Sequence, residues 1–164
     1  MDTERLHLRP TEERDRDAFE ALFCDEDFMV FAGGVLNPQQ ATERFDVMLQ
    51  RSMDIPFAKQ PVFEKGSKTI LGYVGVNTFE FEGKERYEFG WRLIPQARGK
   101  GYATEAAAAV LELAAQSFTG EILCMIDPRN EPSKRVAHKL GFTFWKEAVV
   151  GGFLDELYLS LIHI

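Results

Sequence analysis

Leu93-Ile94-Pro95-Gln96-Ala97-Arg98-Gly99-Lys100-Gly101-Tyr102-Ala103 is the stretch on which the fold turns. Residues 87–94, just before the turn, read as a strand that stops at Pro95. After it, residues 103–116 hold strong helix formers and are apolar almost all round, so that helix is expected to lie buried against a sheet. A strand, a glycine-containing turn and a buried helix in succession can make an anion site. The N–H groups at a helix start have no partner, and glycine lets the backbone approach a phosphate closely. Arg98 and Lys100 add positive charge. An ordinary strand-to-helix turn that needs glycine for positive φ has the same appearance, so this segment alone leaves both readings open. It is not a P-loop, because GxxxxGK followed by Ser or Thr is absent, and it lacks the third glycine of a dinucleotide turn.

The neighbouring segments extend the pattern. Residues 6–9 alternate and end at Pro10, which reads as a first strand. Thr11 is expected to cap a helix containing Arg14, Asp17, Ala18, Ala21 and Leu22. Residues 24–37, with Phe28, Phe31 and the Gly33-Gly34 pair, read as a loop. Pro38 opens a second helix with Ala41, Phe45, Met48 and Leu49 on one face. Strands are expected at 62–64 and 70–81, and Glu82-Gly83-Lys84 is a hairpin turn signal. Beyond the buried helix come a short apolar strand at 122–126 and a helix over 131–140 stopped by Gly141. Two strands around Gly151-Gly152 close the chain. The order βααβββαβαββ is that of a mixed α/β domain built on one sheet, and residues 1–164 are read as a single domain.

Composition narrows the function classes. Of 164 residues, 45% are apolar and 27% charged, and 14 are Phe, enough apolar surface to offset chain entropy. Nineteen basic residues against 26 acidic ones give a net charge of −7, which argues against a nucleic-acid partner. No run approaches the ~18 apolar residues of a membrane span, and the charged start has no apolar signal segment after it. Cys24 and Cys124 form no CxxC pair, and His7, His138 and His163 show no ligand spacing, so no metal is expected. A cytoplasmic protein with reduced thiols is the expectation.

A second motif follows the short strand at 122–126. Asp127-Pro128-Arg129-Asn130-Glu131-Pro132-Ser133 leaves a strand and enters a helix, and Lys139-Leu140-Gly141-Phe142 ends it. Together with the turn at 96–101, this pattern resembles the GNAT superfamily of N-acetyltransferases, and most closely its RimJ/RimL-like branch. The resemblance runs through the whole chain, including Leu6-His7-Leu8-Arg9-Pro10, Gly72-Tyr73-Val74-Gly75, Glu88-Phe89-Gly90-Trp91 and Thr104-Glu105-Ala106. It implies a GNAT-like acyl-CoA N-acyltransferase fold, with a central, mostly antiparallel sheet flanked by helices. Within it, two parallel strands, here 87–94 and 122–126, splay apart to admit the thioester of acetyl-CoA.

The same resemblance implies roles for residues. Gln96, Arg98, Gly99, Lys100, Gly101, Tyr102, Ala103 and Thr104 would wrap the CoA pyrophosphate, mostly through backbone N–H groups. Leu93 and Ile94 would offer backbone hydrogen bonds to the pantetheine arm, and one of their N–H groups would steady the developing oxyanion. Asn130 would bond the pantetheine or hold the next strand open. Many members use a Tyr where this chain has Ala137, and the RimJ/RimL branch uses a serine one turn earlier, which here is Ser133. Ser133 is therefore read as acid or hydrogen-bond donor to sulfur, or as the helix cap.

Glu88 is the first candidate for the base. Strand alternation puts it with Gly90, Arg92 and Ile94, opposite Tyr87, Phe89, Trp91 and Leu93, which read as core. A solvated glutamate or an ion pair with Arg92 is the competing reading. Glu105 is a rival base, although an acid in a first helical turn complements the helix dipole without any catalytic role. Cys124 reads as a core thiol, and Phe28, Phe31 and the 24–37 loop as acceptor region or as packing. The expected function is acetyl transfer from acetyl-CoA to a primary amine, on a small molecule or a protein N-terminus, by direct attack in a ternary complex. A non-catalytic acyl-CoA-binding or sensing module is the alternative. A homodimer is an assembly the resemblance allows.

Overall fold

The computed structural model describes residues 1–162. Strand β1 is Leu6–Leu8. Helices α1 (Arg16–Phe23), α2 (Glu26–Met29) and α3 (Pro38–Asp54) follow, then strands β2 (Gln60–Glu64), β3 (Gly72–Phe81) and β4 (Lys84–Leu93). Helix α4 (Tyr102–Ala115), strand β5 (Gly120–Ile126), helix α5 (Glu131–Lys139) and strands β6 (Thr143–Val150) and β7 (Phe153–Ile162) complete the order. The seven strands make one sheet in the order β1-β2-β3-β4-β5-β7-β6. Every neighbouring pair is antiparallel except β4 with β5. This is the mixed α/β, mostly antiparallel sheet expected from the sequence.

Alternation in β3 and β4 divides the core between the two faces. On one face Val74, Val76, Phe89 and Leu93 pack with Ala106, Ala107 and Val110 of α4 and Ala137 of α5. On the other, Tyr73 packs with Phe19 and Phe23 of α1, Phe28 and Met29 of α2, and Ala41, Phe45 and Met48 of α3. The apolar stripe read along α3 is thus its buried face. Helix α4 is apolar nearly all round because it spans the sheet, and its small alanines let it lie close.

Two local expectations change. Thr11 does not cap α1. Its hydroxyl donates to the Lys59 carbonyl at 3.0 Å, and a 3₁₀ turn at Glu13–Asp15 precedes the helix. The buried Asp15 carboxylate there accepts from the Glu12 N–H and from both terminal nitrogens of Arg9. Residues 24–37 are not wholly a loop. Asp25 accepts from the Phe28 N–H at 2.7 Å and starts the short α2, which buries Phe28 and Met29.

Candidate active site

The site begins with the register of the β3–β4 hairpin. Glu82 and Gly83 have φ of 53° and 71°, a two-residue turn whose twist suits a hairpin, and Phe81 pairs with Lys84 across it. Such a turn is closed by a hydrogen-bonded pair, so even-numbered residues of β4 bond to β3. The pattern continues past the strand, where the Ile94 N–H donates to the Leu71 carbonyl at 2.8 Å. Odd-numbered residues turn their backbone groups toward β5. Yet β5 meets β4 only at Tyr87 with Ile122 and Glu88 with Leu123. Past those two positions the strands part, and the backbone groups of Phe89, Trp91 and Leu93 line the opening. The splayed parallel pair expected from the sequence is present.

The register also separates the two residues expected to meet a pantetheine arm. Leu93 directs its backbone into the gap. Ile94 uses its N–H on Leu71, and its carbonyl accepts from the Ala97 N–H at 3.0 Å. Of the two N–H groups, that of Ile94 is therefore already engaged, while that of Leu93 faces the gap.

At the mouth of the gap, a 3₁₀ turn at Pro95–Ala97 leads to Arg98 and then to α4. Gly99 and Gly101 have φ of 76° and 82°, a left-handed conformation that a side chain resists. No side chain caps α4. The Glu105 N–H is the first to reach back, to the Gly101 carbonyl, so the N–H groups of Tyr102, Ala103 and Thr104 stay open. Open donors at the positive end of a fourteen-residue helix suit a phosphate. Two expected side chains are already engaged. Arg98 Nε donates to the Leu93 carbonyl at 2.9 Å and Nη2 to the Asp27 carbonyl at 2.7 Å. Tyr102 donates to Glu64 at 2.6 Å. Gln96 and Lys100 remain exposed, as does the glycine backbone between them.

Glu105 is a structural anchor. Its carboxylate accepts from the Thr3 hydroxyl, the Arg5 N–H and Arg5 Nε at 2.5, 2.8 and 2.7 Å, clamping the N-terminal segment to α4. Burial acts to raise its pKa, but these bonds outweigh it and hold the group below its ordinary value. That removes it as a rival base.

Across the gap, Asn130 caps α5, its Oδ1 accepting from the Ser133 N–H at 3.2 Å. Ser133 is not the cap, and its hydroxyl forms no side-chain hydrogen bond among the described residues. Ala137 is fully buried in the core. Cys124 is 1% exposed, and burial together with the Glu88 charge pushes its thiol pKa up, so it is a core cysteine. His163 lies outside the described residues.

Glu88 sits at the last paired position before the strands part. Its ion-pair partner is Lys59, at 3.0 Å, and not Arg92. Arg92 instead stacks over the rings of Phe28 and Tyr73, 5.8 Å from each centroid. A Cβ on Gly90 would stand 2.5 Å from Glu88 Oε1, so the carboxylate runs along the strand over that glycine, toward the opening. Asp155 of β7, unnoticed in the sequence, joins this corner. Burial raises its pKa, and the negative charges of Asp127 and Glu88 raise it further. Two adjacent acids, Asp155 and Glu156, inside a largely apolar strand were the signal available.

Comparison with known proteins agrees with this geometry. Residues 5–143 match the family model described as the acetyltransferase (GNAT) domain. The Uncharacterized N-acetyltransferase YnaD of Bacillus subtilis is 28% identical, with 98% of this chain and 95% of that protein covered. An acetyltransferase of the GNAT family from Bacillus anthracis is 26% identical at a TM-score of 0.77, covering 98% of this chain and 97% of its own. Two more distant structures share the fold. They are ribosomal-protein-S5-alanine acetyltransferase from Vibrio fischeri (20% identical, TM-score 0.77, 99% and 96% covered) and spermidine N-acetyltransferase from Vibrio cholerae with CoA and spermine (17%, 0.75, 96% and 96%).

Proposed function

The chain belongs to the acetyltransferase (GNAT) family, and we propose that it moves the acetyl group of acetyl-CoA onto a primary amine, of a small molecule or a protein N-terminus, by direct attack in a ternary complex. The observation that carries this reading is the gap between β4 and β5. It opens just past Glu88, is lined by backbone groups of β4 that point away from β3, the Leu93 carbonyl among them taken by Arg98, and lies beside the open N–H groups at the start of α4. Backbone groups along Leu93, Trp91 and Phe89 suit the amides of a pantetheine arm, and the turn from Gln96 to Thr104 suits its pyrophosphate. Acetyl-CoA supplies an activated thioester carbonyl.

Glu88 accepts the proton that the amine sheds as its nitrogen bonds to that carbonyl. The Leu93 N–H meets the charge building on the carbonyl oxygen. Ser133, its hydroxyl unengaged, donates to the sulfur as the C–S bond breaks. Asn130 fixes Ser133 by capping its N–H. Holding both reactants in one cleft supplies a large share of the acceleration. The chemistry requires no metal.

We place the chain in a RimJ/RimL-like branch on the strength of Ser133 standing in for the missing tyrosine at Ala137. Fold neighbours acting on a ribosomal protein's alanine and on spermidine bracket the acceptors considered. Cytoplasmic residence and a homodimer belong to the same proposal. Both cysteines are unpaired, as reducing surroundings would leave them, and edge strand β6 exposes Phe144, Trp145 and Val149. Light scattering on the purified chain tests the dimer.

The test of the reading is thermal unfolding with acetyl-CoA, beside ATP and NAD. A ligand at ~100 times its Kd stabilises the native state by ~2.7 kcal/mol, a shift of a few degrees. A shift with acetyl-CoA alone is expected. Its absence at millimolar concentration would overturn the donor site and the catalytic roles with it.

A further inference from the structure

We propose that the acceptor amine carries an acidic group, a carboxylate or a phosphate, seated in a cationic pocket formed by Arg44, Arg51 and Lys59 beside Glu88. The inference rests on the acetyl-transfer reading above and specifies its acceptor.

A pocket of about 220 Å³ lies between α3 and the sheet. Arg44, Val47, Met48 and Arg51 line it from α3, at spacings of three, four and seven that put them on one helical face. Tyr73 and Asn77 line it from β3, with Lys59 beside them. Asn77 is the cross-strand partner of Glu88, and Lys59 bonds Glu88, so the pocket opens from the proposed base. Its size suits a small metabolite better than a drug-sized ligand.

Its charge is unusual for a chain of net charge −7. Lys59 is neutralised by Glu88. Among the described residues, Arg44 and Arg51 form no ion pair and no side-chain hydrogen bond. Arg92, stacked on the Tyr73 ring though not itself lining the pocket, has no carboxylate partner among them either. Arg44 and Arg51 are half-buried residues left without anions, a bound acid would supply the missing partner, and the planar fork of Arg suits carboxylate and phosphate oxygens. The phenol of Tyr73 registers the same field. Burial would raise its pKa, yet Arg92, Lys59 and Arg44 pull it down to about 8.

Charge of the other sign gathers at the gap, where Asp127 and Glu88 add to the burial that raises the pKa of Asp155. An acceptor with its amine toward Glu88 and its acid toward Arg44 and Arg51 matches both ends. A polyamine would push a second cation against Arg44 and Arg51. Nothing in the composition foretold this, since the arginines meet the sheet only once α3 has docked.

The experiment is steady-state release of the CoA thiol from acetyl-CoA with four sets of amines. These are free amino acids, 2-aminoethyl phosphate, the amides of the same amino acids, and spermidine. Wild type and the double variant Arg44→Gln, Arg51→Gln are compared, each with its thermal shift on acetyl-CoA. The expected result is kcat/KM about tenfold or more higher for an acidic amine than for its uncharged counterpart, carried by KM. The double variant should lose that preference while acetyl-CoA still stabilises it, and Arg51→Lys should recover part of it. Preference for amino acids over 2-aminoethyl phosphate, or the reverse, identifies the acid. Equal or better use of amides or spermidine overturns the inference and leaves acetyl transfer standing. So does a preference that survives in the double variant. Stabilisation by acetyl-CoA with no release on any acidic amine also overturns it. No stabilisation of wild type by acetyl-CoA overturns the underlying reading, and this one with it.

Discussion

Lys59 Nζ stands 3.0 Å from Glu88 Oε2, and the two side chains are only 15% and 14% exposed. Lys59 reaches this point because residues 57–59 bond to Val76, on the strand that pairs with β4. The carboxylate is therefore held in place from outside its own strand. Glu88→Gln should lower kcat by about 10²- to 10⁴-fold while acetyl-CoA still stabilises the fold. Wild-type turnover would remove Glu88 as the base. Lys59→Met should cost about 1–3 kcal/mol in urea unfolding, since it strands a half-enclosed acceptor.

Gly101 holds a left-handed conformation at the entry to α4, with φ of 82°. Gly101→Ala should lose roughly 1–2 kcal/mol of stability from that conformation. It should also weaken acetyl-CoA binding, because the strain is relieved by turning the open N–H groups away from the phosphate. Calorimetric titration reads the affinity, and an unchanged Kd would detach this turn from the donor.

The clamp of Thr3 and Arg5 on Glu105 makes stability depend on acid pH. The folded-state pKa of Glu105 is lowered from the ordinary 4.5. A lowered carboxylate contributes stability that is present above that value and is lost as pH falls through the folded one. Glu105→Gln should thus be less stable than wild type at pH 7, and the difference should shrink below about pH 4.5. Equal urea midpoints at pH 7 would contradict the clamp.

Cys24 is exposed and Cys124 buried with its thiol pKa raised. Iodoacetamide on the native protein should add one group, at Cys24, and a second only after unfolding. Native labelling of Cys124, read by mass spectrometry, would contradict its place in the core.

Hydrophobic period and turn residues made the long elements legible, and the paired motifs around Gly99 and Asn130 made the family legible. Local pattern failed where a distant partner decided the outcome. Thr11 is a good cap residue, but Lys59 claims its hydroxyl, and Asp15 with Arg9 takes over the helix entry. Arg92 is the obvious neighbour of Glu88 along the strand, yet aromatic rings hold it and Lys59 arrives from another segment. Ile94 and Leu93 are equivalent in sequence, and only the hairpin register separates them. Asp155, Arg44 and Arg51 belong to elements that meet the site after the sheet is assembled, so no spacing announced them.

The gap between β4 and β5 is a wedge. Its lips are pinned at Glu88 and Leu123 and diverge toward Leu93 and Ile126. A wedge of this kind is selective for direction. A thin, flexible tail can slide in narrow end first until its tip meets the closed vertex, while a bulky charged head is stopped at the wide end, where α4 begins.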